Sequence, residues 1–154
     1  MSHGVPLRSF KDRVRQVALF ELLGLLLITP GFAWVSGQSM ESALGLLAVL
    51  SLMAALWNGG YNTAVDWLQA HHFGTRADQR GWRGRILHAL CFEGGLLLLT
   101  LPVIVAWTDL GWWAALVADL GLALVYTAYA FVFNLAYDRL FPIVAVAAPP
   151  REDT

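Results

Sequence analysis

The sequence predicts an all-α integral membrane protein, with four transmembrane helices formed by two parallel-oriented two-helix repeats. Hydrophobic residues make up 58% of the 154 residues and charged residues only 14%, whereas a typical soluble domain is about 25% charged. Four apolar segments each approach the roughly 20 residues that cross the hydrocarbon core of a bilayer. The two halves of the chain also match each other at their polar residues.

The four apolar segments cover approximately residues 17–35, 43–67, 86–107 and 112–140. The last is longer than a bilayer needs, so its ends should protrude or tilt. The first follows two arginines, as a signal peptide would. It nevertheless contains Glu21 and Pro30 and precedes no small-residue cleavage site, which favours a spanning helix that stays in the protein.

The positions of the basic residues predict the orientation of the chain. All ten Lys and Arg residues fall in the N-terminal arm, the linker between the second and third segments, or the C-terminal end. Four spans place these three regions on one side of the membrane, which the positive-inside rule makes cytoplasmic. Both termini are therefore expected in the cytoplasm. Six of the seven tryptophans fall near the predicted membrane interfaces, and Trp57 lies well inside the second span.

An internal repeat relates the two halves without a gap. At a shift of 72 residues, rare intramembrane residue types coincide, namely Arg13 with Arg85, Glu21 with Glu93, Pro30 with Pro102, Asn62 with Asn134, and Asp66 with Asp138. Each half holds two spans, so both halves enter the membrane from the same side, as in a parallel repeat. We predict a first repeat over 1–72, a second over 73–144, and a C-terminal tail over 145–154.

The second span carries a polar stripe. Asn58, Asn62 and Asp66 are spaced i, i+4 and i+8, so they share one helix face. Polar residues within a span normally face the bundle interior. This pattern is compatible with substrate contacts and also with hydrogen bonds between helices. Trp57 and Tyr61 form the adjacent stripe and are candidates for packing against the rings of a substrate, with Trp57 also a candidate for a cation–π contact.

The two matched glutamates point to proton exchange. Glu21 lies four residues inside its span, Glu93 is similarly placed, and the matched arginine precedes each by eight residues. Burial without a nearby cation disfavours the charged form of a carboxylate. Such a group can exchange its proton for a cation, which is the chemistry of a proton-coupled antiporter. We take Glu21 and Glu93 as candidates for proton coupling or substrate binding.

Other ionisable residues have structural interpretations. We predict ion pairs that fix helix register at the cytoplasmic boundary, formed by Arg13, Arg85, Asp66 and Asp138, and we expect Arg13 to meet Asp66 there. Asp119 has no counterpart in the first repeat, where the matching residue is Leu47. It is a candidate for a local cap or pair, for an outer gate, or for a second substrate contact. His88 is a candidate for a proton relay or a structural hydrogen bond.

The sequence offers no pattern typical of an enzyme. Cys91 is the single cysteine, and no His/Cys spacing predicts a metal site. No nucleophile motif or intramembrane His–carboxylate pair is present, so we expect neither a cofactor nor catalysis. A net charge of −1 gives no reason to expect a nucleic-acid partner.

Four stretches carry a family resemblance, namely RVRQVALFE, WNGGYNTAVD, RILHALCFEGG and YTAYAFVFNLAYDRLFP. They resemble the proteobacterial antimicrobial compound efflux (PACE) family, which is built from tandem bacterial transmembrane pair domains. The resemblance implies an exporter of the bacterial inner membrane, driven by proton exchange, with Glu21 as its coupling residue. The chain departs from the family pattern at Gln16, where the pattern has His, and at Val65, where it has an aromatic residue.

The leading functional hypothesis is therefore a proton-coupled antiporter. The resemblance implies that it exports chlorhexidine-like biguanides, quaternary ammonium compounds, dyes or short diamines. The expected partners are protons, cationic small molecules and the lipid bilayer, and the small size of the chain suggests a homodimer. The alternative is a non-transporting membrane subunit or sensor, in which the polar residues only join helices.

Overall fold

The computed structural model describes residues 8–72 and 81–142, which form four helices. These are α1 (Phe10–Ser36), α2 (Met40–His72), α3 (Trp82–Trp107) and α4 (Trp112–Leu140). All four are long and apolar enough to cross a membrane. The predicted all-α, four-span fold is confirmed. The predicted C-terminal tail over 145–154 lies outside the described residues.

The turns between paired helices are short and locally specified. Gly37 ends α1 with a φ of 68°, the left-handed conformation in which glycine carries no Cβ penalty. Ser39 then accepts the backbone N–H of Ser42 at 3.2 Å, as an N-cap serine does. Thr108 accepts the N–H of Leu110 at 3.3 Å before α4 begins. These turns make each repeat an antiparallel helix pair.

The helices form a closed ring of neighbours. The pairs α1–α2 and α3–α4 pack within the repeats, and α2–α3 and α1–α4 pack between them. The helices α1 and α3 therefore lie on one diagonal of the bundle, and α2 and α4 lie on the other.

The tightest packing lies at the end of the bundle that carries the two short turns. Leu46 and Leu47 near the start of α2 and Ile104 near the end of α3 are almost fully buried. Ile28 and Phe32 of α1 belong to the same core cluster. The bundle is thus closed at its turn end, and most large apolar side chains elsewhere face outward, as lipid contact requires.

The helices continue beyond the hydropathic segments into the predicted central linker. The second helix reaches His72, and the third begins at Trp82. Hydropathy marks only the part of a helix that lies in hydrocarbon, so polar turns at the aqueous boundary are not detected by it. Trp67 and His71 stack in such a turn, with ring centroids 4.5 Å apart.

Candidate functional site

A cavity of about 530 Å³ lies inside the bundle and is lined by all four helices. Three acidic side chains reach it, namely those of Glu21, Glu93 and Asp119, and its described lining contains no Lys, Arg or His. The remaining lining is mostly apolar. The structure therefore gathers three carboxylates, which lie far apart in the sequence, around one partly open cavity.

The lining follows the internal repeat. Phe20 and Glu21 of α1 correspond to Phe92 and Glu93 of α3. Six positions of α2 line the cavity, and the six equivalent positions of α4 line it too; they are 47, 50, 51, 54, 55 and 58 in α2, and 119, 122, 123, 126, 127 and 130 in α4. The two glutamates consequently lie at equivalent positions of diagonally opposed helices. The lining departs from the repeat where Leu96, Leu97 and Thr100 of α3 face the cavity, because their counterparts in α1 are not part of the described lining.

The two glutamates differ in their hydrogen bonding. The Ser51 hydroxyl donates to Glu21 Oε2. The position equivalent to Ser51 is Ala123 in the second repeat, which has no donor to offer. Within residues 8–72 and 81–142, Glu93 forms neither a hydrogen bond nor an ion pair. One repeat therefore stabilises its carboxylate with a hydroxyl, and the other leaves its carboxylate open to the cavity.

Asp119 breaks the symmetry further. Its side chain is only 8% exposed, and its Oδ2 lies 2.6 Å from the Thr100 hydroxyl. That hydroxyl is also 3.0 Å from the carbonyl of Leu96 and has one proton to share between them. The equivalent residues in the first repeat are Leu47 and Ile28, so this polar pair exists only in the second.

Two equivalent hydrogen bonds hold the helical turns that bear the glutamates. Trp57 Nε1 donates to the carbonyl of Phe92 at 3.0 Å. Its repeat counterpart, Tyr129, donates its hydroxyl to the carbonyl of Phe20 at 2.8 Å. Each bond joins the second helix of one repeat to the first helix of the other. Each one ends on the residue directly before a glutamate, so these aromatic residues position the carboxylates.

The predicted polar stripe of α2 divides between two environments. Asn58 lines the cavity. The Asn62 amide instead donates to the backbone and side-chain oxygens of Asn58, both at 2.8 Å, because the i, i+4 spacing lets it bond within its own helix. Trp57 and Tyr61 pack against α3, where the Tyr61 hydroxyl donates to the carbonyl of His88 at 3.1 Å. Asn62, Trp57 and Tyr61 are therefore not part of the described cavity lining.

The ion pairs also differ from the expected set. Arg8 bridges Asp12 and Asp138, at 2.5 Å in both cases, and Arg15 pairs with Asp12. Arg13 is exposed and forms no ion pair with any described residue, so the expected Arg13–Asp66 contact is absent. The reason is helical phase: Asp12 and Arg15 share the face of α1 toward α4, and residue 13 is rotated away from it. Arg8 lies before the helix, which begins at Phe10. Asp66 and Arg85 both interact elsewhere.

Aromatic rings complete this cluster at the ends of α1 and α4. The Arg15 guanidinium donates to the Tyr137 hydroxyl at 3.0 Å and lies 3.9 Å from the centre of the Phe141 ring. The hydrogen bonds to Asp12 and Asp138 raise the pKa of the Arg8 guanidinium. The position equivalent to Tyr137 is Val65, so the ends of α2 and α3 lack this aromatic contact.

Several residues of the site were not predicted from the sequence. Ser51 lies seven residues before Asn58, and Thr100 lies seven residues after Glu93, so extending each polar face by two turns would have found both. Tyr129 is found by applying the repeat to Trp57. Among the described residues, no group of three or more His, Cys, Asp or Glu could hold a metal ion.

Comparison with known proteins identifies the family. The family model described as chlorhexidine efflux transporter matches twice, at residues 8–71 and 80–143. The second match starts 72 residues after the first, at the shift found within the sequence. No solved structure gives a significant match.

Three curated relatives, each named short-chain diamines transporter, match most of the chain. The protein of Vibrio parahaemolyticus serotype O3:K6 is 34% identical over 133 residues, which cover 85% of this chain and 91% of the relative. The protein of Acinetobacter baylyi is 28% identical over 130 residues, 84% of this chain and 89% of the relative. The protein of Acinetobacter baumannii is 28% identical over 134 residues, with coverages of 84% and 88%. The chain belongs to the chlorhexidine efflux transporter family and is a multi-pass transporter of the bacterial inner membrane.

Proposed function

We propose that this protein is a proton-coupled antiporter that exports hydrophobic cationic biocides and short diamines, with Glu21 as the proton-coupling residue. The observation that carries the proposal is the cavity lined by Glu21, Glu93 and Asp119 with no basic side chain in its described lining. Uncompensated carboxylates inside a membrane bundle are costly unless they bind protons or cations. The family match and the names of the relatives supply the substrate classes.

The exchange follows from the chemistry of the site. When Glu21 is ionised, the Ser51 hydroxyl donates to it and the carboxylate attracts a cationic substrate. When Glu21 takes up a proton, its negative charge is lost and the substrate loses its counter-ion. The carboxyl proton can then be donated to the Ser51 oxygen, which keeps the neutral form hydrogen-bonded. Occupancy by proton and by cation is therefore mutually exclusive at one group.

The apolar part of the cavity suits the rest of the substrate. Phe20 lines the cavity beside Glu21, and its ring packs on Tyr129 with centroids 4.9 Å apart. Leu96, Leu97 and Leu122 add aliphatic surface. Rings or methylene chains of a hydrophobic cation can be buried there at about 25 cal/mol per Å².

The proton gradient supplies enough free energy for export. A membrane potential contributes about 2.3 kcal/mol per charge per 100 mV, and a pH difference contributes about 1.36 kcal/mol per unit. Exporting a dication against the potential requires more than one proton per cycle, or protonation of both Glu21 and Glu93.

The orientation and assembly belong to the same proposal. The basic residues support cytoplasmic termini, so the tightly packed turn end of the bundle is the outer end, closed in this conformation. Four helices of one chain enclose the cavity. The homodimer suggested by the size of the chain stays a prediction.

Proteoliposomes with an internal pH dye and an imposed pH gradient test the proposal. Chlorhexidine, a quaternary ammonium compound and cadaverine are added in turn to the wild type, to Glu21→Gln and to Asp109→Asn. Asp109 is an exposed acidic residue outside the described cavity lining, so its variant controls for charge removal. We expect proton flux triggered by substrate in the wild type and in Asp109→Asn, and none in Glu21→Gln. Absence of flux for every cation, with all proteins folded, would reject antiport.

A further inference from the structure

We infer that Glu93 and Asp119 form a two-carboxylate site that binds the two ammonium groups of a short-chain diamine. The inference rests on the proposed function, because it assigns substrate contacts within the same cavity. It concerns specificity, and its test needs no proton gradient.

The two carboxylates lie at different levels of the cavity. Glu93 and Thr100 both line it from α3. Seven residues are close to two helical turns, so the two positions share a face and are about 10 Å apart along the axis. The Thr100 hydroxyl lies 2.6 Å from Asp119 Oδ2, which sets the carboxylate of Asp119 at the level of Thr100. Glu93 and Asp119 are therefore separated by about 10 Å along the axis.

Short-chain diamines can span this separation. An extended alkyl chain advances about 1.25 Å per bond, so the two nitrogens of a diamine with three to five carbons are roughly 5–8 Å apart. Charge-assisted hydrogen bonds of about 2.8 Å at each end extend the span to roughly 11–13 Å. Each of these diamines can therefore bridge the two carboxylates, whereas a monoamine pairs with only one of them.

The space between the two levels suits a methylene chain. Leu96 and Leu97 of α3, between Glu93 and Thr100, line the cavity, as does Leu122 of α4, one turn from Asp119. An aliphatic chain in this position removes apolar surface from water. The cavity thus alternates an acidic level, an apolar level and a second acidic level.

The hydrogen bonding of the two glutamates explains why Glu93 is the partner. Glu21 accepts the Ser51 hydroxyl, whereas Glu93 has no hydrogen bond within residues 8–72 and 81–142. Glu93 also lies on the same helix face as Thr100, which contacts Asp119. In this division of roles, Glu93 and Asp119 pair with the two ammonium groups of the diamine, and protonation of Glu21 removes a third negative charge from the same cavity, which weakens the attraction of the cavity for the dication.

Equilibrium binding to the purified full-length protein in detergent tests the inference. The probes are diamines with three to eight carbons and pentylamine, a monoamine of cadaverine's length. They are titrated against the wild type, Asp119→Asn, Glu93→Gln and the control Asp109→Asn, which removes an exposed carboxylate outside the described cavity lining. Thr100→Val, which keeps the carboxylate and removes its hydroxyl partner, is measured as well.

The wild type and Asp109→Asn should bind diamines of three to five carbons at least about tenfold more tightly than pentylamine, since the second ammonium forms a further charge pair. Asp119→Asn and Glu93→Gln should each abolish this preference. Thr100→Val should weaken diamine binding by a few-fold. If Asp119→Asn does not fold, Glu93→Gln and Thr100→Val still decide the question. A preference for diamines that persists in Glu93→Gln would overturn the inference.

The binding experiment and the proton-flux experiment can fail independently of each other. Proton flux in liposomes, together with equal affinity for diamine and monoamine, would reject the two-carboxylate site and leave antiport intact. A clear preference for diamines without any proton flux would reject proton coupling and leave the two-carboxylate site intact.

Discussion

Replacing Gly95 with Ala provides a sharp test of how α2 and α3 pack. A Cβ at Gly95 would lie 2.3 Å from Trp57 Cζ2 and 2.8 Å from Cη2. Ordinary contacts between carbon atoms are about 3.5–4.0 Å, so the indole ring would have to retreat by more than about 1 Å. The ring is held by the 3.0 Å bond from Nε1 to the Phe92 carbonyl and packs on Tyr61 with centroids 5.3 Å apart.

The neighbouring glycine provides a matched control. A Cβ at Gly94 would meet nothing within 4 Å, so Gly94→Ala should stabilise the helix by about 0.5–1 kcal/mol. Gly95→Ala gains the same helix stabilisation from its restricted backbone, but it adds an overpacking cost of about 1–3 kcal/mol. The free energies of unfolding of the two variants should therefore differ by about 1–3 kcal/mol, with Gly95→Ala the less stable.

Equilibrium unfolding in mixed micelles, followed by circular dichroism, measures this difference. A double-mutant cycle locates its cause, since Gly95→Ala should cost little in a Trp57→Ala background, where the ring is absent. Equal stability of Gly94→Ala and Gly95→Ala would refute the packing of Trp57 against Gly95. An equal penalty for Gly95→Ala in both backgrounds would show that a different contact is responsible.

Three further predictions concern hydrogen bonds and charges. Tyr129→Phe removes the hydroxyl bonded to the Phe20 carbonyl and should lower the free energy of unfolding by about 0.5–1.5 kcal/mol. Tyr126→Phe removes a hydroxyl without a partner among the described residues and should lower the free energy of unfolding little or not at all. A larger loss for Tyr126→Phe in the same unfolding assay would contradict the hydrogen-bond assignment. Ser51→Ala removes the hydroxyl that donates to the Glu21 carboxylate and should reduce substrate-triggered proton flux in liposomes by about two- to tenfold relative to Asp109→Asn; an unchanged flux would exclude a role for Ser51. Asp138→Asn should lower the melting temperature slightly in low salt and not in high salt, because exposed ion pairs are screened; a difference that persists in high salt would show that packing is responsible.

Helix length and pairing follow directly from the residues of this chain. Runs of Leu, Ala and Val long enough to cross hydrocarbon fix the four spans. Gly37 ends α1 where the sequence predicts a linker. The shift that superimposes Glu21 on Glu93 also relates the six cavity-lining positions of α2 to the six of α4. Equivalent residues of the two repeats line the cavity because each half of the chain folds into the same helix pair.

The sequence does not predict which side chains contact one another. The i, i+4 spacing correctly places Asn58 and Asn62 on adjacent turns, yet only Asn58 lines the cavity. The sequence predicts that Arg13 meets Asp66, whereas the structure pairs Arg8 with Asp138 and Arg15 with Asp12. Such choices depend on the rotation of each helix about its own axis, which hydropathy hardly constrains in a chain that is apolar on most faces.

The sequence by itself determined the number of spans, the internal repeat, the family and the presence of carboxylates within the membrane, because the transfer of apolar and charged groups into lipid depends on residue type and local order. Only the tertiary structure decided that Glu21, Glu93 and Asp119 line one cavity, that Ser51 supports one glutamate while Ala123 leaves the other open, and that Thr100 holds Asp119. These facts depend on contacts between helices. Packing of all four helices together sets the rotation and depth of each one, and no single segment contains that information.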